Sequence, residues 1–252
     1  MKDAVEILGV PIGSYTYQEF LKELTEKLNA PGCSTVYAVN AHYLNLTYRN
    51  KEYLHSLRRA DINYADGVSL LKAAKFLGRP IGDRMATWSL WPIICQLSVE
   101  KNYTMFFLGG EKGLAEEAMK KTEEKYPGIK IVGTHHGYIK MEDTSIIDTI
   151  NEKKPDLLWV GMGDPFQVLW IDKYKSELDA GLALSAGGLF KFVAEKVTRA
   201  SEGMQKKGFE WLYRTFQEPH LLIRYLTGLP AFGFRVLMQK FFGHRTRLQD
   251  NV

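Results

Sequence analysis

Asp66 is the residue whose type and position best fit a ligand-binding site. It follows the apolar segment 62–65 and precedes Gly67. A carboxylate at the exit of a strand lies at the edge where open α/β sheets bind ligands. Asp also commonly caps helices, and a helix is predicted to begin near Val68. On this stretch alone the two interpretations carry about equal weight.

A second set of residues suits the binding of a phosphorylated donor. Glycines follow three successive predicted strands, and backbone N–H groups in such turns can hold phosphate because glycine permits close approach. The spacing does not match the dinucleotide fingerprint, so the glycines alone are a weak signal. Cationic and amide side chains add charge stabilisation for a leaving phosphate. The candidates are Arg84, Gln167, Gly109, Gly110, Gly163 and Gly187.

Several other chemistries are disfavoured by the motifs. The adjacent His135 and His136 lack the His-Glu-x-x-His spacing of a metal hydrolase. The chain has no Gly-x-Ser-x-Gly elbow, no Walker loop and no Asp-x-Asp pair of the kind that holds a divalent ion on a nucleotide sugar. A metal-free transfer from a phosphorylated donor remains open.

Alternating apolar and amphipathic segments predict the elements that position these residues. The stretch from Thr35 to Gly67 has a strand at each end and helical sequence between them. Strand, glycine turn and helix recur around 103–126, 156–178 and 182–188. Such repeats are typical of a parallel sheet with helices on both faces. We predict an α/β, doubly wound, mostly parallel, Rossmann-like core over 1–198, beginning with one short strand within residues 4–11.

Composition places the protein among soluble globular chains. The 252 residues are 45% hydrophobic and 25% charged. The sequence shows no apolar run of about eighteen residues and no charged-then-apolar leader, so we expect neither a transmembrane helix nor a signal peptide, and a cytoplasmic location. Cys33 and Cys95 lack metal-ligand spacing and are predicted to be ordinary packing residues.

The C-terminal part of the chain is basic and rich in aromatic residues. Residues 196–252 contain ten Lys or Arg against four Asp or Glu. Basic residues interleaved with large apolar ones fit an interfacial helix on anionic lipid. They also fit a nucleic-acid surface or a helical pair packed on the core. We predict a helical, membrane-associating appendage over 199–252 and no nucleic-acid partner.

A series of short motifs extends in order from about Leu8 to Tyr225. They include Asn40, Ala60-Asp-x-Asn-x-x-Asp66-Gly67, Arg84, Phe107-Leu-Gly-Gly110, Pro155-Asp-Leu-Leu-x-Val-Gly-Met-Gly-x-Pro-x-Gln167, Gly187-Gly-x-Phe190, Glu210-Trp-Leu-Tyr-Arg214 and Glu218-Pro219. Together these motifs resemble the WecG/TagA/CpsF family, glycosyltransferase family 26. No single motif is specific, whereas their combination is.

The resemblance implies an inverting, metal-independent enzyme that needs no cofactor and works at the cytoplasmic face of the bacterial membrane. It would move a hexose from a nucleoside-diphosphate sugar, which we expect to be UDP-linked, to a polyprenyl-diphosphate-linked sugar. The products would be exopolysaccharide, capsule or teichoic-acid linkage units. By resemblance Asp66 is the general base, and Asn40, Arg84 and Gln167 line the donor pocket. Arg214 and Arg224 would bind the diphosphate of the acceptor.

Departures from the family pattern leave the donor hexose open. Ala38 stands where the family usually has Thr, and Met85-Ala-Thr-Trp-Ser89 replaces Val-Thr-Gly-Ser-Asp. Two alternatives to an active transferase follow from the sequence. One is a nucleotide-binding regulator without transfer activity, suggested by Ala38 and Ser89, and the other is a nucleic-acid-binding protein that uses the basic tail. The oligomeric state is open, with a homo-oligomer among the alternatives.

Overall fold

The computed structural model describes residues 3–198, 200, 204, 210–219 and 221–243. The first residue of the predicted appendage, Arg199, lies outside this described part, as do Ser201, His220 and the basic segment 244–252.

Six parallel strands form the main sheet in the order β4-β3-β8-β7-β5-β6. The strands are β3 (Ser34–Val39), β4 (Ile62–Ala65), β5 (Thr104–Gly109), β6 (Lys130–His135), β7 (Leu157–Gly161) and β8 (Leu182–Ser185). Every residue of β3, β4, β7 and β8 is buried. Parallel strands covered on both faces read as near-continuous apolar segments, which is why the sequence predicted them well.

Helices cover both faces of the sheet. In chain order they are α1 (Tyr17–Leu28), α2 (Ala41–Leu46), α3 (Lys51–Arg59), α4 (Val68–Phe76), α5 (Thr87–Lys101), α6 (Leu114–Lys125), α7 (Ser145–Lys153), α8 (Phe166–Tyr174), α9 (Leu189–Val193), α10 (Glu210–Gln217) and α11 (Leu221–Phe242). Apolar side chains of α2, α3, α4, α7 and α8 share one core cluster. Those of α1, α5, α6 and α9 share the other. The predicted doubly wound α/β class is therefore confirmed.

The strand order creates a crevice between β3 and β8. The helix after β3 packs on one face of the sheet and the helix after β8 packs on the opposite face. The two connections diverge at the carboxyl ends of neighbouring strands, which is the topological switch point where open α/β sheets bind ligands.

The predicted single strand within residues 4–11 is wrong in detail. This segment forms an antiparallel hairpin of β1 (Val5–Ile7) and β2 (Val10–Ile12). Leu8 and Gly9 have φ angles of 50° and 81°, which turn the chain back on itself. Such a two-residue turn matches the twist of a hairpin. The sequence did not indicate this turn, because Leu rarely adopts positive φ and the segment is apolar throughout.

Cys33 and Cys95 are both buried and unbridged, as expected for packing residues. Burial raises the pKa of the Cys33 thiol to about 12 and also raises that of Cys95. Neither thiol is therefore a reactive thiolate at neutral pH.

The helix α11 lies against α2 and α4 at the surface. Its inner face buries Leu221, Phe232 and Val236, and the Gln239 side chain accepts a 2.9 Å hydrogen bond from the Leu8 amide. By length and composition the helix could cross a membrane, with a mean hydropathy of 1.3, whereas we expected no such segment. Its polar contacts with the core favour a docked helix over a spanning one.

The outer face of α11 is apolar as well. It exposes a row of large side chains at helical spacing, namely Ile223, Leu226, Phe234, Leu237 and Phe241. Most of them are more than half exposed, for example Ile223 at 73% and Phe241 at 69%. A continuous exposed apolar row of this kind marks an interaction surface.

Candidate active site

The register of β3 and β4 brings two candidate residues together. Val39 pairs with Ala65, so Asn40 and Asp66 follow paired positions at the same edge of the sheet. The Asp66 amide donates a 2.8 Å hydrogen bond to the Val39 carbonyl, which fixes the backbone beside Asn40. The two side chains therefore enter the crevice from neighbouring strands.

Asp66 is not the N-cap of the helix that follows it. That position is occupied by Gly67, which has a φ of 123°, a region that favours glycine. Asn40, in contrast, caps α2, and its Oδ1 accepts hydrogen bonds from the amides of His42 and Tyr43 at 3.0 and 3.2 Å. The Nδ2 group of Asn40 is the part that can donate to a ligand.

A cavity of about 700 Å³ occupies the crevice, within the size range of ligand pockets, roughly 300–1,000 Å³. Its lining comes from the ends of β3 and β7, from residues that directly follow β3, β4 and β8, and from the C-terminal helices, among other segments. Of the predicted site residues, the cavity is lined by Asn40, Asp66, Arg84, Gly163, Gly187, Arg214 and Arg224.

The charged residues of the lining are mostly cationic. Among the described residues the lining has five Lys or Arg side chains and two carboxylates. The cations are Lys72, Arg84, Lys191, Arg214 and Arg224, and the carboxylates are Asp66 and Asp164. Several converging cations suit ligands that carry phosphate groups, and guanidinium groups can bind phosphate oxygens in a bidentate manner.

Gln167 lies beneath the cavity and does not line it. The side chain is fully buried, and its Oε1 accepts hydrogen bonds from the amides of Gly163 at 3.2 Å and Gly187 at 3.3 Å. Those two amides are thus used within the protein. Gln167 thus ties the two glycine turns together, and its contact with a donor stays a prediction.

Gly109 and Gly110 are also outside the cavity lining. A Cβ on Gly109 would lie 2.5 Å from the Gly161 carbonyl oxygen, and the Gly110 amide donates to that same oxygen. The Gly137 amide in turn donates to the Gly110 carbonyl at 2.8 Å. These glycines serve close packing of the β5 and β7 ends. In the sheet, β5 lies two strands away from β8, so its glycine turn is removed from the crevice. The sequence does not reveal strand order and so could not distinguish this packing role from phosphate binding.

Asp164 is a cavity carboxylate that sequence reasoning missed. The Tyr53 hydroxyl donates to its Oδ1 at 2.7 Å, and Gln167 Nε2 donates to its Oδ2. Burial raises the pKa of Asp164 to about 6, against the opposing effect of hydrogen bonds from Tyr43, Tyr53 and Gln167. Burial also raises the pKa of Tyr43 and Tyr53, so both hydroxyls remain donors.

The raised pKa of Asp164 predicts a pH-dependent stability. Its ordinary pKa is 3.8, so between pH 4 and pH 6 the folded protein binds more protons than the unfolded chain. The free energy of unfolding should fall as pH rises through this window, by at most about 3 kcal/mol, and stay level above it. The variant Asp164→Asn lacks this titration. Denaturation at several pH values gives the free energy of unfolding of wild type and variant. We expect it to fall between pH 4 and pH 6 more steeply in wild type than in the variant, and equal slopes would contradict the assignment.

His42 lines the same cavity as a neutral group. Burial and the nearby charge of Arg224 lower its pKa to about 4. At neutral pH its imidazole is therefore uncharged, and it adds no positive charge to the five cations of the lining.

The helix α10 is held over the cavity by a buried carboxylate. Glu218 accepts hydrogen bonds from Lys191 at 2.7 Å and from Arg214 at 3.3 Å. Burial raises the pKa of Glu218, but the bond from Lys191 and the charge of Arg214 outweigh it and hold the pKa below its ordinary value. Arg214 also lies over the Phe192 ring, 5.3 Å from its centroid. These contacts fix Arg214 at the cavity wall.

Four charged or imidazole side chains of the lining were missed from the sequence. Lys72, Lys191, His42 and Asp164 lie on different elements and meet at the crevice only through the strand order. A usable signal existed for Asp164, because it lies between Gly163 and Pro165 inside a quoted motif.

Within the described part of the chain, no group of three or more His, Cys, Asp and Glu side chains could hold a metal ion.

The fold and cavity define a class of protein. A doubly wound parallel sheet carries, at its switch point, a cavity with a carboxylate at a strand exit and several cationic side chains. This is the place where open α/β enzymes bind phosphorylated ligands such as nucleotides.

Comparison with known sequences identifies the family. A sequence profile of the WecG/TagA/CpsF family of glycosyl transferases matches residues 5–246. The chain belongs to this family, as its motifs predicted, and it is a glycosyltransferase.

Its relatives include two staphylococcal enzymes. Both are named N-acetylglucosaminyldiphosphoundecaprenol N-acetyl-beta-D-mannosaminyltransferase, one from Staphylococcus aureus strain MW2 and one from strain NCTC 8325. Each is 26% identical to this chain over 238 residues, which is 94% of this chain and 93% of the relative.

Proposed function

We propose that this glycosyltransferase moves a hexose from a nucleoside-diphosphate sugar, UDP-linked in our expectation, to a sugar linked to polyprenyl diphosphate. The observation that carries the proposal is one cavity with Asp66 at a strand exit and five cations around it. Several cations suit a reaction in which the donor and the acceptor each carry a diphosphate. The names of the staphylococcal relatives, which specify a diphosphoundecaprenol acceptor, support the same chemistry.

In the proposed mechanism Asp66 acts as general base. Its carboxylate accepts the proton of the acceptor hydroxyl as the oxygen attacks the anomeric carbon of the donor. The bond from the anomeric carbon to the diphosphate oxygen breaks at the opposite face, and the configuration inverts. The nucleoside diphosphate leaves with the electron pair of the broken bond, and its new negative charge needs electrostatic stabilisation.

The cations of the lining divide between the two diphosphates. Arg84 and the Nδ2 group of Asn40 are assigned to the donor because Asn40 lies beside Asp66 at the carboxyl edge and Arg84 lines the same cavity from the α/β core. Arg214 and Arg224 are assigned to the acceptor because they come from the C-terminal helices that cover the cavity. Lys191 and Arg214 both donate to the Glu218 carboxylate, so Lys191 helps to position Arg214.

The donor hexose is set by residues at which this chain departs from its family. Ala38, Thr87 and Trp88 all line the cavity, and each differs from the residue usual in the family. A methyl group at residue 38 offers no hydrogen bond to the sugar, whereas a Thr hydroxyl does. We therefore propose a hexose other than N-acetylmannosamine as the donor sugar, in exopolysaccharide, capsule or teichoic-acid linkage synthesis.

The enzyme is proposed to work on the inner face of the cell membrane. The exposed apolar row of α11 supports this location, because large apolar side chains are stabilised when they leave water for lipid. The basic charge of residues 196–252 adds attraction to anionic lipid, worth roughly 1 kcal/mol for each Lys or Arg near the surface. Docking in this way keeps the cavity beside the lipid-linked acceptor.

The test of the proposed function is a donor panel. The purified protein is incubated with UDP-, GDP- and dTDP-linked hexoses and a short-chain polyprenyl-diphosphate sugar. We expect one donor class to be consumed, and proton NMR of the product should show an inverted anomeric configuration. Retention of configuration would contradict the mechanism with Asp66 as base.

Metal independence is a separate prediction. With cationic side chains stabilising the leaving group, transfer should proceed in excess EDTA at a rate within about twofold of the untreated enzyme. Initial rates in EDTA, and in EDTA followed by magnesium or manganese, measure this. A loss of activity that either ion restores would assign the leaving-group charge to a metal instead.

A further inference from the structure

An apolar groove of about 390 Å³ runs between α4 and α11. Its walls come from Ala73 and Phe76 on α4 and from Leu229, Phe232, Val236 and Leu237 on α11. The α11 lining extends from Leu229 to Leu237, a distance of about 12 Å along a helix axis. This length accommodates a few isoprene units and is much too short for a whole polyprenyl chain.

The groove adjoins the active-site cavity. Ser69, Lys72 and Leu229 line both spaces, so they form the junction. The other lining residues follow these three along both helices, so the groove leads away from the cavity. A cation therefore lies at the point where the polar space becomes apolar.

We propose that this groove binds the isoprene units next to the diphosphate of the lipid-linked acceptor. The inference rests on the proposed function and names the lipid subsite of the same active site. With the diphosphate among the cavity cations, Lys72 contacts the phosphate nearer the lipid, and the hydrocarbon enters between α4 and α11. Beyond the groove, Met238, Phe241 and Phe242 are exposed and lead the rest of the chain toward the bilayer.

Continuity with the cavity selects this occupant over an ordinary membrane lipid. A polyprenyl diphosphate carries its charge at one end of a single hydrocarbon chain, which matches a charged cavity joined to one apolar groove. A phospholipid has two acyl chains and would leave one of them without a place in this groove.

Gly233 provides a direct way to fill the groove. It lines the groove from α11, is exposed, and a Cβ at this position meets no atom within 4 Å. Larger residues there also favour the helix, since glycine is the weakest ordinary helix former after proline. Gly233→Ala is the matched control, because it gains the helix propensity but leaves most of the space open. Gly233→Leu and Gly233→Phe fill it progressively.

The first measurement is photocrosslinking with a farnesyl diphosphate probe that carries a photoreactive group on its hydrocarbon tail. Mass spectrometry should locate the label in α4 and α11 of wild type and Gly233→Ala, with at least tenfold less in Gly233→Phe and an intermediate amount in Gly233→Leu. Labelling elsewhere, or equal labelling of all variants, would overturn the proposal. Competition by phosphatidylglycerol as strong as that by unlabelled farnesyl diphosphate would also overturn it.

The second measurement separates this inference from the proposed function. For a polyprenyl-linked acceptor, Gly233→Phe should raise KM about tenfold or more, because hydrocarbon burial is lost, while kcat stays within about twofold. For an acceptor whose diphosphate carries only a short alkyl group, all variants should match wild type. An unchanged KM on the polyprenyl acceptor would refute the groove. A wild type inactive on both acceptors would refute the proposed function, and the crosslinking result would then decide the groove alone.

Discussion

Replacing Asp66 with Asn is expected to reduce sugar transfer by about 10²–10⁴-fold, because the acceptor hydroxyl loses its proton acceptor. The amide keeps the size of the side chain and the register of β4 with β3, so the cavity should keep its shape. Nucleotide affinity, measured by calorimetry with the nucleoside diphosphate, should therefore stay within about threefold of wild type.

A matched control for this substitution is Asp83→Asn. Asp83 is an exposed carboxylate next to Arg84, and it accepts a 3.1 Å hydrogen bond from the Tyr17 amide outside the cavity lining. Its variant should keep most of the wild-type rate. If Asp66→Asn retained more than about half of the wild-type kcat, the residue would have a structural role only.

Making the outer face of α11 polar should produce the second large effect. The triple variant Ile223→Gln, Leu226→Gln and Phe234→Gln removes three exposed apolar side chains and leaves the buried face unchanged. Each large apolar side chain contributes roughly 1.5–3 kcal/mol when fully buried in an apolar medium, so even partial insertion of three is substantial. We expect at least a tenfold loss of binding to anionic vesicles and a similar loss of transfer to a vesicle-embedded acceptor.

The control for this variant is a detergent-solubilised short-chain acceptor, on which its rate should equal that of wild type. Equal rates on both kinds of acceptor, together with unchanged vesicle binding, would refute membrane docking by α11.

Deleting the chain from Arg199 onward is a harsher test of the appendage. It also removes Phe232 and Val236 from the core and the Gln239 contact with the hairpin. Lost activity after the deletion would therefore need proof that the remaining core is folded.

Local sequence was sufficient to predict most elements of the fold. The buried parallel strands are short apolar segments, and the helix α1 begins at a complete capping box formed by Thr16 and Glu19. Asn40 and Asp66 could be paired from the sequence because their strands are joined by one helical crossover. The hairpin at residues 5–12 was not predictable in the same way, since it depends on a positive φ at Leu8.

The rest of the site depends on strand order, which no local pattern encodes. Because β8 lies between β3 and β7, Gly187 and Asn40 line the same cavity, whereas Gly109 lies outside it. The role of Gln167 depends on the same order, because its Oε1 bridges amides from two different turns. Lys72 and Lys191 look like ordinary helix-surface lysines in the sequence, and only the packing of α4, α9 and α11 brings them to one cavity.

The most direct measurement of the central claim is the stoichiometry of one transfer reaction. Wild type is incubated with the consumed nucleotide sugar and the polyprenyl-diphosphate sugar, and mass spectrometry follows the acceptor while chromatography follows the nucleotide. We predict that the acceptor gains one hexose for each nucleoside diphosphate released, and that Asp66→Asn forms neither product at a comparable rate. Nucleotide binding without turnover, or nucleoside diphosphate release without a heavier acceptor, would contradict the account.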